Sequence, residues 1–320
     1  MDLKREIAER LTEVGAVAVG ICLAEPVDEG VMGVYEEWVL SGKNAGMKYM
    51  GNHIDLRRDP RLLLEGAKSI ICAGFCYRPT VGSRLNPRVA KYAHLPDYHD
   101  WVRERVLSSG VGELLGEEYR DWRLCIDTAP ILERYWARRA GLGWIGMQGA
   151  LVIPGVGPEV VLCEILTTTA LSPDGPLGGD CGRCGKCVAA CPTGAIRGDG
   201  NGPDCNLCIS YLTIEHRGAW EDERHLRAME TAAGRASLFG CDRCMSVCPH
   251  NNPEITSGQE ADSRIIGLSA EDLRDADFGV RFRGLAIKRA KAAGLQRNGR
   301  LGEERGERER REGNQMKYNN

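Results

Sequence analysis

Nine of the chain's 14 cysteines fall between Cys181 and Cys248, and their spacing constrains the fold more than any other feature. Cys181, Cys184, Cys187 and Cys191, followed by Pro192, read C-x2-C-x2-C-x3-C-P. Three thiolates at that spacing wrap a loop around one cubane, and the fourth reaches a neighbouring cluster. A shorter copy follows as Cys241, Cys244 and Cys248 before Pro249. Two 4Fe-4S clusters need eight thiolates and the runs hold seven, so Cys205 or Cys208 of DCNLCISYL supplies the last. Crossover then assigns Cys181, Cys184, Cys187 and Cys248 to one cluster. Cys191, Cys241, Cys244 and the intervening cysteine hold the other. A zinc ribbon, with four ligands, leaves half of this set unexplained. Cys22, Cys72, Cys76, Cys125 and Cys163 lie in apolar stretches such as SIICAGFC and read as small buried hydrophobes.

So many thiols outside a small secreted scaffold imply a reducing, cytoplasmic setting. The start, MDLKREIAERL, has no apolar signal region, and no apolar run reaches the ~18 residues of a membrane span. At 320 residues, 42% hydrophobic and net charge -3, the chain is long enough for about two domains. The charge excludes a globally basic nucleic-acid binder but leaves room for a local basic patch.

The pattern predicts an α+β protein. An N-terminal α/β domain spans 1–170, and a ferredoxin-like two-cluster domain spans 171–253. A segment with a basic helix follows over 254–297, then a charged tail over 298–320 that has little to bury. LKREIAERLTEVG reads as a helix closed by Gly15, AVAVGICLA and SIICAGFCY as strands, and GALVIPG with EVVLCEILTT as an antiparallel pair. GLGWIG matches a dinucleotide fingerprint, with Glu164 near the position of its ribose acid. It follows a helix rather than a strand, so the glycines read as a helix end. Asp127 in CIDTAPILER has two readings. It caps the helix PILERYWARRA, with Pro130 at N1, or it is a strand-end acid whose pKa burial raises for proton donation. Tyr98 and His99 of PDYHDW are a second polar pair or a surface loop.

Across residues 1–297 the chain resembles the epoxyqueuosine reductases. The likeness rests on GMKYM, RRDP, KYAHLPDYH, DTAPILER, AGLGWIG, CEILTT, CGRCGKCVAACPTGAI, CISYLTIEHRG, FGCDRCMSVCP and RFRGLAIKRAKAAGLQRN. The resemblance implies a cobalamin- and iron-sulfur-dependent enzyme that reduces epoxyqueuosine to queuosine at the tRNA wobble position. It also implies an N-terminal fold similar to the reductive dehalogenases, Asp127 as proton donor, and Cys208 as the eighth ligand with Cys205 spare. Cobalamin contacts then fall on Met50, Arg57, Lys91, Gly146, Met147, Gln148, Ser210, Tyr211 and Asp242. Phosphate contacts fall on Arg217, Lys288, Arg289 and Lys291. Reduced ferredoxin or flavodoxin would donate electrons to a monomer. Met147-Gln148, Leu95-Pro96, Met245 and Leu285 depart from the family pattern. A dehalogenase-like corrinoid reductase and a non-catalytic two-cluster electron carrier are the alternatives.

Overall fold

The computed structural model describes residues 2–269, 271–274 and 277–300. Helix α1 (Leu3–Glu13) starts where the Asp2 carboxylate accepts from the Lys4 amide, and it ends before Gly15 at φ 98°. Its Ile7 and Leu11, one turn apart, are both fully buried. The chain then enters a four-stranded sheet of order β1 (Ala18–Leu23), β2 (Ser69–Cys76), β6 (Val160–Thr167), β3 (Trp122–Cys125), antiparallel throughout. Every residue of β2 is buried, which explains why SIICAGFC reads as a continuous apolar run. On one face Cys22, Cys72, Cys125 and Leu166 pack against Trp136 and Ala137 of the helix Glu133–Arg139 and Met32 of α2 (Glu29–Leu40). On the other, Ile71, Phe75 and Ile165 meet α1 and Trp101 of the helix Tyr98–Ser108.

Two local expectations change. Leu151–Val152 (β5) pairs with Trp144–Ile145 (β4) in a separate hairpin, while β6 joins the main sheet between β2 and β3. Pro130 is not the first helical residue either, because the helix begins at Glu133. Residues 127–132 are thereby freed to form the loop that carries Asp127.

Beyond residue 180 the helices are short, and their apolar sides meet in two further cores. One gathers Ile209, Leu212 and Met229, and the other Phe239, Phe282, Ile287 and Leu295. Residues 291–300 are helical, and the fully buried Asn298 donates to the carbonyls of Thr213 and Leu238. Ordered chain therefore extends past residue 297, where sequence alone begins the tail. Residues 301–320 lie outside the described residues. The sheet and the cysteine-rich part are joined by Glu159, whose side chain is 1% exposed. It takes Arg78 at 3.1 Å and Lys91 at its other oxygen. Arg78 and Lys91 in turn reach Asn251 and Ser246 beside the second cysteine run.

Candidate active site

The fold sorts the cysteines into two groups. Cys181, Cys184, Cys187 and Cys248 share the walls of one small pocket. Burial pushes the Cys248 thiol up, and Cys181, Cys184 and Cys187 add to the shift. Burial likewise pushes Cys244 up to about 12, followed by Cys208, Cys241 and Cys191. Thiols that penalise one another's ionisation in this way are the ones a multivalent iron cluster would stabilise together. Cys205 is buried, and its amide bonds the Lys43 carbonyl. Among the described residues no three Cys, His, Asp or Glu side chains converge on a single-ion site. A cubane holds its thiolates farther apart than one tetrahedral ion does.

Beside the first group opens a cavity of about 1530 Å³, larger than the ~300–1,000 Å³ of an ordinary small-molecule pocket. Cys181 lies on its wall. Val31, Val34, Tyr35, Trp38, Met47 and Met50 give it a broad apolar face, and Gly146, Gly149, Gly198, Gly200 and Gly202 present bare backbone. The shape rests on local contacts. Gly46 donates to the Tyr211 hydroxyl at 2.9 Å, and a β-carbon at Gly46 would stand 2.7 Å from that oxygen. Tyr35 donates to the Met50 carbonyl at 2.6 Å, and Arg57 lies over the Tyr35 ring.

Asp127 projects into this cavity, with 56% of its side chain exposed there. It follows β3 and does not cap the next helix, whose cap position is Leu132. Instead Thr128 N–H bonds the Ile126 carbonyl at 2.5 Å, making Asp127 the apex of a γ-turn at φ 50°. Tyr98 donates to Asp127 Oδ2 at 2.7 Å. His99 Nε2 lies 3.4 Å from the same oxygen, near enough for a charge pair but misaligned for a hydrogen bond. Its Nδ1 bonds Asp97 at 2.7 Å. Of the two readings, the surface loop does not hold, and Tyr98 and His99 stand together against Asp127 as a polar pair. They open a helix capped by Asp97, and their rings stack at 4.2 Å.

Electrostatics here overturns an expectation. Burial does raise the Asp127 pKa, but His99 and Tyr98 outweigh it and hold the carboxyl below its ordinary value. His99 is raised to about 9 by Asp127 and Asp97. Both shifts favour the pair as carboxylate and imidazolium.

Other expected contacts separate by place. Met50, Arg57, Gly146 and Met147 line the cavity, as do Lys288 and Arg289. Met147 also faces the first cysteine group, together with Gln148. Lys91, Ser210, Tyr211 and Asp242 are off the cavity wall. The Lys91 amide donates to Asp242, and Ser210 offers its carbonyl to Thr213. Arg217 bonds the carbonyls of Ile214 and Arg289, Arg289 pairs with Glu215 at 2.7 Å, and Lys291 is exposed. Sequence reasoning gave no role to Glu133, which bonds the Asp127 amide, and dismissed Glu164 with the dinucleotide fingerprint. An unpaired acid inside VVLCEIL is the signal that marks Glu164.

A chain that brings a thiolate group to the wall of a cavity holding an acid and its proton partner is built to pass electrons and protons to a substrate. Its class is iron-sulfur oxidoreductase. A family model described as "Epoxyqueuosine reductase QueG, DUF1730" matches residues 57–128, and one described as "4Fe-4S double cluster binding domain" matches 180–251. The epoxyqueuosine reductase of Cyclobacterium marinum is 38% identical over 82% of this chain and 85% of its own length. The solved Streptococcus thermophilus epoxyqueuosine reductase superposes with TM-score 0.79 at 25% identity, covering 94% of this chain and 81% of that one. Another, determined with a tRNA-Tyr epoxyqueuosine-modified stem loop, gives 0.74 at 26%, with 94% and 80% covered. The chain belongs to the epoxyqueuosine reductase family.

Proposed function

We propose that this chain reduces epoxyqueuosine to queuosine at the wobble position of tRNA. The observation that carries this reading is Asp127, held between Tyr98 and His99 on the wall of a cavity that Cys181 also borders. Removing an epoxide oxygen as water consumes two electrons and two protons. The cavity suits cobalamin, because its apolar face matches a flat macrocycle and its bare glycine backbone offers amides to a polar rim. When bound, the clusters and the cobalamin supply one-electron delivery and a reducing metal centre. Cys181, Cys184, Cys187 and Cys248 would hold one cluster, and Cys191, Cys208, Cys241 and Cys244 the other. Met50, Arg57, Gly146 and Met147 would face the corrin.

The protein's own part is the proton. Asp127 alone, below its ordinary pKa, is a poor acid at neutral pH. Paired with His99 it belongs to a unit that keeps one proton up to about pH 9. His99 carries that proton 3.4 Å from Asp127 Oδ2, Asp97 orients the ring, and Asp127 lies on the cavity wall. Tyr98 donates a hydrogen bond to the same carboxylate, and burial with the Asp127 charge raises its own pKa, so it positions Asp127 and keeps its proton.

Lys288 and Arg289 at the cavity, with Arg217 and Lys291 nearby, supply cations for an RNA backbone. Reduced ferredoxin or flavodoxin is the fitting one-electron donor, and the cytoplasm is where tRNA and reduced thiols coexist. Among the described residues no helix is long and apolar enough to cross a membrane. The proposed division into 1–170, 171–253, 254–297 and 298–320 draws support from the two cores that the sheet keeps on its faces, while Val89 and Ala93 pack across it with Phe239, Phe282 and Ile287. The test is tRNA from cells lacking this chain. It accumulates epoxyqueuosine, and re-expression restores queuosine. Unchanged queuosine in a strain without another such reductase overturns the reading.

A further inference from the structure

Asp127, at φ 50°, occupies a backbone conformation that a side-chain-bearing residue adopts only under strain. Something must hold it there. Its amide donates to Glu133 Oε1 at 2.6 Å, a bond that spans the whole loop from the strand end to the first turn of the next helix. That helix has no side-chain cap of its own, so Glu133 is the group that ties its start to the γ-turn.

Behind Glu133 stands a second acid. Glu164 is 0% exposed, and neither carboxyl oxygen has a hydrogen-bond partner among the described residues. It sits in β6 directly across from Cys72 on β2 and Cys125 on β3. The thiols of Cys22, Cys72 and Cys125 belong to the core beneath the helix carrying Glu133. An ionised carboxylate left bare in such a place is strongly disfavoured, so burial favours the neutral group instead.

We propose that Glu133 is the positioning residue for Asp127, and that Glu164, standing protonated behind it, limits the two acids to a single negative charge. The proposal rests on Asp127 being the acid of the reaction. Burial raises Glu164 well above the ordinary carboxylate range, and Glu133 and Cys22 raise it further. Burial also lifts Glu133, to about 7, with the Asp127 charge next and the bond from the Asp127 amide opposing. The groups facing Glu133 are Asp127, Tyr98 and His99 on the cavity side and Arg134 on its own helix. Cys125 and Glu164 face it from the sheet, while Cys163 lies on the sheet's other face. Below about pH 7 Glu133 gains a proton and becomes a weaker acceptor, so the turn loosens.

The test uses the full chain, purified without oxygen and carrying its clusters and corrin, as Glu133→Ala, Glu133→Gln and Glu164→Gln. Glu133→Ala lowers kcat about 10- to 100-fold while the KM for tRNA and the cofactor content hold. Glu133→Gln still accepts the amide, so it keeps most of kcat but loses the acidic limb of the pH profile near about 7. If the alanine variant does not fold, this profile carries the test alone. Glu164→Gln folds and removes a protonated-carboxyl stretching band from the infrared spectrum at neutral pH. Wild-type kcat in Glu133→Ala, or an unchanged acidic limb in Glu133→Gln, overturns the clamp if Asp127→Asn is inactive. Absence of the infrared band overturns the neutral Glu164. Wild-type turnover in Asp127→Asn overturns the acid reading, and the clamp with it.

Discussion

The cluster region and the sheet region build their chemistry in opposite ways. In the first, three of four thiolates in one group come from a seven-residue stretch, Cys181 to Cys187, and only Cys248 arrives from afar. In the second, no two neighbouring elements suffice. Asp97, Tyr98 and His99 open one helix, Asp127 sits in the turn after a strand, Glu133 opens another helix, and Glu164 lies mid-strand. A binding loop encoded by spacing tolerates little change at its ligands and much elsewhere. A site assembled by convergence depends on groups that touch no substrate.

The largest effect expected is at the ligands. Cys184→Ser should abolish turnover and cut cluster iron to about half, while the thermal transition of the sheet region persists. Full iron content and turnover in that variant would break the assignment of the first group. Asp127→Asn comes next: both cofactors stay bound and the rate falls by about 10²–10⁴, the usual worth of a positioned acid. Loss of cofactor instead would make Asp127 a structural residue of the cavity. Third is the joint between the regions. Glu159→Ala strands Arg78, itself 10% exposed at the side chain, and removes the partner of Lys91. Breaking a buried pair of this kind typically costs about 3–5 kcal/mol. Chemical denaturation should show the loss, with the second cysteine run becoming protease-sensitive before the sheet. A stability unchanged within error would mean that the two regions hold together without this strut.

The same contrast sets how much could be read in advance. The thiolate grouping could be proposed because C-x2-C-x2-C-x3-C-P is a local code, and it draws support from Cys181, Cys184, Cys187 and Cys248 lining one pocket and from Cys208, Cys241 and Cys191 acting on the Cys244 thiol. The strand β2 was legible because full burial writes an unbroken apolar run, and β1 because it is apolar along its length although only half-buried. The partner of β6 was not, since a nearby Gly-Pro turn favours the adjacent hairpin, and only the sheet's core shows that β2 and β3 flank it. Asp127 could be singled out, but its charge state could not. Burial suggested a raised pKa, and the two groups that lower it, the Tyr98 hydroxyl and the His99 charge, come from 29 residues upstream or nearly so. Lys91 illustrates the reverse case. Its motif pointed to the cofactor, and its ammonium is spent on Glu159 and Ser246.

The smallest effect, and the sharpest test of convergence, belongs to His99. Its pKa is raised from 6.5 to about 9 by the carboxylates of Asp127 and Asp97, with burial opposing. A histidine raised on folding stabilises the native state fully below about pH 6.5, and that contribution is lost as pH rises through about 9. In His99→Gln the stability gap to the unmodified chain should therefore be widest in mild acid and close toward pH 9. Activity follows the same proton. With His99 in place the alkaline limb of kcat falls near about 9. Without it only Asp127 can carry the proton, so the rate declines from acidic pH upward and is roughly tenfold lower at neutrality. A variant that keeps the alkaline limb near 9 would show that some other group holds the proton. Asp127 would then be served by Tyr98 alone, whose hydroxyl is the shorter contact at 2.7 Å.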